Sequence, residues 1–158
     1  MSTGFSKKFM EFVKGVIDSL GTKGKPDLFE TKASKSALSA SKILPGDVLF
    51  FSYTSKKFGS GEHLCMVMGN RRNKFGIFQH KGKLYLSAIK LNNTVTPVTT
   101  GLIVESYQEK RVQYKTKKQD TELEKKSLIA LVGRNNYRTY IMNNITMAFE
   151  VEDKAKEY

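Results

Sequence analysis

Residues 45–53 read PGDVLFFSY, and this stretch decides the fold class. Its PGD tripeptide is a turn signal, and the β-branched and aromatic run from Val48 to Tyr53 is typical of a buried strand. The residues at the N-terminus have helical periodicity instead. The chain therefore changes from helix to sheet at this turn.

Three more strand-like runs follow at short spacing, over residues 63–68, 75–80 and 84–91. Polar turns separate them, and no helix-length segment lies between them, which disfavours a parallel α/β sheet. Short strands joined by polar turns predict an antiparallel sheet that closes into a small barrel or half-barrel. Together with an N-terminal and a C-terminal helix, this predicts an α+β fold.

The C-terminal part contains the second helix signal. Thr121 and Glu124 have capping-box spacing, apolar residues follow, and Gly133 ends the pattern, which predicts a helix over residues 120–132. Residues 101–114 fit a helix or a strand, and their glutamates favour the helix. After a turn, the last ordered segments are residues 137–142 and the alternating, strand-like residues 145–151.

The first helix signal is a stripe of apolar residues that recur at helical spacing from Phe5 to Leu20, with the charges on the other face. The stripe could be covered by the domain's own core, by another protein or by a membrane surface. Acidic residues on the polar face disfavour the membrane. The segment that follows the helix has little periodicity and would act as a flexible linker. It would let the helix extend from the domain, which favours a protein partner or self-association. The expected partner-binding residues are Phe5, Phe9, Phe12 and Val16.

The chain of 158 residues has the size of a single domain. The expected parts are an amphipathic helix (1–20), a basic flexible linker (21–42), a β-rich basic domain (43–151) with the inserted helix 120–132, and a tail (152–158). The one cysteine, Cys65, can form neither an internal disulfide nor a zinc site, so we expect a reducing compartment and neither metal nor cofactor. Charges interrupt the apolar N-terminal segment, so a signal peptide or a membrane span is not expected.

Charge is the most informative property of the sequence. Lysine and arginine number 27 against 15 acidic residues, which gives a formal net charge of +12. Residues 48–104 hold eight basic residues and one acidic residue, so the excess is concentrated in the predicted sheet. A polyanion is the expected partner, and nucleic acid, either DNA or RNA, is the commonest one.

The basic residues of this stretch fall in the predicted turns, where several could meet one phosphate chain. The expected nucleic-acid-binding residues are Lys56, Lys57, Arg71, Arg72, Lys74, Lys81 and Lys83. Aromatic residues beside these turns could stack on unpaired bases or could belong to the core. They are Tyr53, Phe58, Phe75 and Tyr85.

Two resemblances accompany this pattern. The segments LPGD before the first strand, MVMG at 66–69 and GIF at 76–78 resemble the opening of SH3-like small barrels, including KOW-type modules, over residues 43–91. The composition rich in lysine and asparagine, and the sequence NYRTY at 136–140, resemble small accessory proteins of tailed phages. These resemblances imply a viral, non-enzymatic protein of the host cytoplasm or the virion. Its partner would be nucleic acid, or a virion or polymerase complex.

The same opening, followed by a histidine, also resembles the barrel half of NlpC/P60 cysteine peptidases. Those enzymes need a cysteine upstream of this strand, and the chain has none before Cys65. His63 and Cys65 would share one side of a strand and could pair as imidazole and thiolate, but a buried thiol is the favoured interpretation. His80 has no acidic residue near it in sequence. We therefore expect no catalytic residues.

Overall fold

The computed structural model describes residues 5–20, 43, 45–57, 59–69, 76–109 and 126–151. The helices are α1 (Lys7–Ser19), α2 (Pro97–Glu109) and α3 (126–132). The strands are β1 (Val48–Ser55), β2 (Gly59–Val67), β3 (Ile77–His80), β4 (Lys83–Lys90), β5 (Tyr137–Ile141) and β6 (Ile145–Val151). The predicted linker 21–42 and tail 152–158 lie outside the described residues.

All strand pairs are antiparallel, and the main order of the sheet is β3-β4-β2-β1-β6. On β4, the segment 83–86 pairs with β3, the segment 88–90 pairs with β2, and the segment 85–89 pairs with β5. Strand β5 pairs with residues of β4 that also pair with β2 or β3, so β5 lies on the other edge of β4. Strands β2 and β3 therefore follow one another along the remaining edge of β4. The result is a curled antiparallel half-barrel. The predicted α+β half-barrel is confirmed.

One turn of 3-10 helix, Met142–Asn144, connects the edge strands β5 and β6. Inside the curl, the hydroxyl of Tyr53 accepts a hydrogen bond from the backbone N–H of Ile141 at 2.9 Å. This bond joins β1 to the end of β5 and fixes the closure of the half-barrel.

The two faces of the sheet bury two separate clusters. The inner face is filled by residues from β1, β2, β4 and β5, including Phe51, Cys65, Leu86 and Tyr140. The outer face, which includes Phe50, Leu64 and Met66, is covered by the helices. Alternation along each strand assigns consecutive side chains to opposite faces, so the register decides which residues reach solvent.

Helix α1 packs on the outer face of its own sheet, which is the first of the three alternatives for its apolar stripe. Of the four expected partner-binding residues, Phe9 and Val16 are buried in the outer cluster. Phe5 and Phe12 are partly buried and pack against the same cluster. The apolar stripe that was expected to face a partner is therefore covered by the protein's own sheet. Phe50 and the aliphatic side chains of β2 provide the apolar surface on which it packs.

The beginning of α1 is anchored to the sheet by Glu62 of β2. The Glu62 carboxylate accepts hydrogen bonds from the Ser6 backbone N–H at 2.6 Å and from the Ser6 hydroxyl at 2.8 Å. The Ser6 hydroxyl in turn accepts from the backbone N–H of Phe9 at 3.2 Å, as an N-cap does. A carboxylate at a helix N-terminus also stabilises the helix dipole.

The helix favoured for residues 101–114 is present over its described part as α2, which begins four residues earlier than expected. Residues 110–114 lie outside the described residues. Thr96 caps it by accepting from the backbone N–H of Thr99 at 3.1 Å, and Pro97 is its first residue. Proline is well suited to that position because its missing N–H needs no partner there. Residues 126–132 confirm the described part of the predicted helix 120–132, whereas Thr121 and Glu124 lie outside the described residues. None of the described helices is long and apolar enough to cross a membrane.

Candidate nucleic-acid interface

The expected phosphate-binding residues that the structure describes lie in two turns. Lys56 and Lys57 are exposed in the β1–β2 turn. Lys81 and Lys83 are exposed at the β3–β4 turn, where Lys81 has a φ of 49° and Gly82 a φ of 79°. Two consecutive residues with positive φ form the tight hairpin turn that matches the twist of its strands.

The register places these two turns at opposite ends of the sheet. Ser55 pairs with Gly59 next to the β1–β2 turn, and Cys65, further along β2, pairs with Lys90. From Lys90, strand β4 continues away from the β1–β2 turn until it reaches Lys83. A short ligand therefore cannot contact both turns. Three other expected residues, Arg71, Arg72 and Lys74, lie outside the described residues.

The β3–β4 hairpin carries aromatic and basic side chains on one face. Phe78 pairs with Tyr85, and His80 pairs with Lys83. The Phe78 and Tyr85 rings are stacked, with centroids 5.7 Å apart and planes at 22°, and the His80 ring lies 6.4 Å from that of Tyr85. We call Phe78, His80, Lys83 and Tyr85, together with Lys81 in the turn, the hairpin platform.

The hairpin platform lies on the outer face of the sheet. Ile77 and Leu84 pack against the inner cluster, so their neighbours Phe78 and Tyr85 point to the other side. Both rings are partly buried, whereas His80, Lys81 and Lys83 are exposed. The sequence has no acidic residue from 63 to 104, so no carboxylate of this segment would repel an anion at the hairpin platform. Rings beside lysines are the combination that binds single-stranded nucleic acid.

Two of the four aromatic residues named as stacking candidates are described by the structure, and of these Tyr85 is partly exposed. Tyr85 belongs to the hairpin platform, whereas Tyr53 is 2% exposed and fills the inner cluster. Tyr53 is therefore a core residue, because its position on β1 points into the curl. Phe58 and Phe75 lie outside the described residues. Phe78 and His80 were not among the candidate residues, although their alternation before a Lys-Gly turn is a hairpin pattern.

His63 and Cys65 meet Tyr140 inside the half-barrel. The Tyr140 hydroxyl lies 3.0 Å from His63 Nδ1, and the Cys65 thiol donates to that hydroxyl at 3.4 Å. Burial, together with the charges of Lys90 and Arg138, lowers the pKa of His63 to about 3. Burial also raises the pKa of Cys65 to about 12. The pair is thus a neutral imidazole and a protonated thiol, not an activated nucleophile.

We expect Cys65 to react very slowly with iodoacetamide in the native protein at pH 8. The thiol is fully buried, and its raised pKa removes the thiolate that alkylation requires. The protein unfolded in urea should react at the rate of a free cysteine, and mass spectrometry measures both rates. Native labelling as fast as unfolded labelling would show that the thiol is accessible and ionised.

Comparisons of the chain with protein-family models, with curated proteins and with known structures found no match. Among the described residues, no group of three or more histidine, cysteine, aspartate or glutamate side chains is placed to hold a metal ion. Function must therefore be inferred from the chemistry of the protein surface.

Proposed function

We propose that this protein is a non-enzymatic nucleic-acid-binding protein whose hairpin platform binds single strands. Tyr85 and Phe78 would stack on unpaired bases, and Lys81 and Lys83 would contact the adjoining phosphates. The observation that carries the proposal is the grouping of two partly open rings and two exposed lysines on one face of one hairpin. Base stacking needs unpaired bases, so a single strand suits this surface better than a duplex.

The charge distribution supports the same partner. A net charge of +12 attracts any polyanion, and the acid-free segment 63–104 contains the entire hairpin. Phosphate binding releases counterions, which strengthens the interaction at low salt. The resemblance of residues 43–91 to KOW-type barrels supports a nucleic-acid partner, and the resemblance to phage accessory proteins makes infection of a bacterial cell the expected setting.

We expect the double substitution Lys81→Gln and Lys83→Gln to reduce the salt dependence of binding. Each phosphate contact contributes about 0.7 to the slope of log K against log salt for a single strand, so the slope should fall by about 1.4. Fluorescence anisotropy with labelled oligothymidylate over a salt series measures this slope. Oligouridylate and a duplex, titrated in parallel, compare DNA with RNA and single with double strands.

The matched control is Lys56→Gln with Lys57→Gln, which removes two exposed lysines from a turn at the other end of the sheet. This control should retain the slope of the unmodified protein. An equal decrease of the slope in both double variants would mean that binding depends on the overall charge of the protein and not on a defined site. Failure of the unmodified protein to bind at low salt would overturn the proposed function.

A further inference from the structure

The ring of His63 is enclosed by aromatic side chains inside the half-barrel. It lies parallel to the Phe51 ring, with planes at 2° and centroids 5.7 Å apart. The Tyr53 and Tyr140 rings meet it edge-on, with centroids at 5.9 Å and 5.3 Å. Only 3% of His63 is exposed to solvent, so a charge on its ring would be poorly solvated. We call these four residues the aromatic box.

The aromatic box lies where the half-barrel closes. Phe51 and His63 are partners across the β1–β2 pair. The Tyr53 hydroxyl accepts the backbone N–H of Ile141 and thereby ties β1 to the end of β5. Tyr140, from the same end of β5, contacts the His63 ring. A displacement of that ring would therefore disturb the contacts that hold β5 over β1 and β2.

The hydrogen bonds of the Tyr140 hydroxyl determine which protonation state of His63 fits the aromatic box. The hydroxyl oxygen accepts from the Cys65 thiol at 3.4 Å and from the Arg138 side chain. A hydroxyl has two acceptor lone pairs and one hydrogen, so the hydrogen is left for His63 Nδ1, which lies 3.0 Å away. Nδ1 can accept it only in a neutral imidazole, because both nitrogens of a charged imidazole are donors.

The surrounding charges favour the same neutral form. Lys90 of β4 and Arg138 of β5 adjoin the ring from the inner face, and both oppose a further positive charge. The neighbouring thiol and phenol are uncharged near neutral pH, because burial raises the pKa of each. Of the carboxylates on neighbouring strands, Glu62 points to the outer face, where it holds the start of α1, and Glu150 lies on β6, which β1 separates from β2.

The geometry points to an acid-sensitive closure of the half-barrel, in which protonation of His63 separates β5 from β1 and β2. A charged imidazole turns Nδ1 from an acceptor into a donor that opposes the Tyr140 hydroxyl, so the proton is taken up when the aromatic box opens. Burial, together with the two cations, lowers the pKa of His63 from 6.5 to about 3. Between these values the opened chain binds one proton more than the closed protein, so stability falls as the pH falls.

The first test compares urea unfolding at pH 7 and pH 5 for the unmodified protein and for His63→Gln, whose new side chain does not titrate. One additional proton in the open state should raise the unfolding equilibrium constant of the unmodified protein by roughly 25-fold between these pH values. Acidic side chains titrate in both proteins, so His63→Gln should lack only this factor. His80→Gln, which removes the exposed histidine, is the matched control and should retain it. An equal pH dependence in His63→Gln and the unmodified protein would overturn the acid-sensitive closure.

The second test needs no substitution at His63. NMR follows the His63 ring signals and the exchange of the Ile141 amide, whose N–H closes the half-barrel. In the folded protein the ring should stay neutral at pH 5, while the protection factor of the Ile141 amide falls by about as much as the unfolding constant rises. A ring that becomes charged near pH 6 while the Ile141 amide keeps its protection would show that the closed half-barrel accepts the charge. Neither test involves an oligonucleotide, so the result does not depend on the proposed function.

Discussion

Replacing Tyr85 with alanine is expected to weaken oligothymidylate binding by about 5- to 150-fold. Stacking of a base on an aromatic side chain contributes roughly 1–3 kcal/mol per base, and this range converts to that loss. Tyr85 is the central ring of the hairpin platform, since both Phe78 and His80 contact it. Fluorescence anisotropy at low salt measures the change in affinity.

The matched control for this prediction is Tyr85→Phe, which retains the ring and removes only the hydroxyl. It should bind within a few-fold of the unmodified protein, because stacking needs the ring face. Thermal melts of both variants separate a loss of binding from a loss of folding. If Tyr85→Ala melts and binds as the unmodified protein does, the ring has no part in the interface.

Replacing Val16 with aspartate is expected to destabilise the protein by several kcal/mol and to lower its melting temperature by about 10 °C or more. Val16 is fully buried in the outer cluster, so the new carboxylate would be desolvated without a partner. Circular dichroism melts measure the effect.

Lys14→Asp is the matched control for Val16→Asp, because it introduces the same residue on the exposed face of the same helix. It should melt close to the unmodified protein. Equal melting temperatures for the two variants would mean that α1 is not part of the core, and the apolar stripe would again be available to a partner.

The fold class was predictable because the local sequence patterns of several strands and helices correspond to the elements of the folded protein. The PGD turn and the run from Val48 to Tyr53 identify β1, and the alternation over 145–151 identifies β6. Strand β2 begins at Gly59, earlier than the predicted His63, because pairing with β1 extends it through residues that lack an apolar pattern. The start of α2 was missed although Thr96-Pro97 is a standard helix beginning.

The candidate site was only partly predictable, because register decides which face each ring occupies. Tyr53 and Tyr85 both stand near basic turns in the sequence, yet one points into the curl and the other to the outer face. The position of Lys90 and Arg138 on the same inner face had no sequence signal at all. Lys90 and Arg138 are far apart along the chain, and only the pairing of β4 with β5 brings them together.

Amide NMR spectra recorded during titration with oligothymidylate test whether the hairpin platform is the nucleic-acid interface. We expect the largest chemical-shift changes on residues 77–86, while Lys56 and Lys57 at the other end of the sheet change little. Changes centred on the β1–β2 turn or on the helix-covered face, with residues 77–86 unaffected, would contradict it.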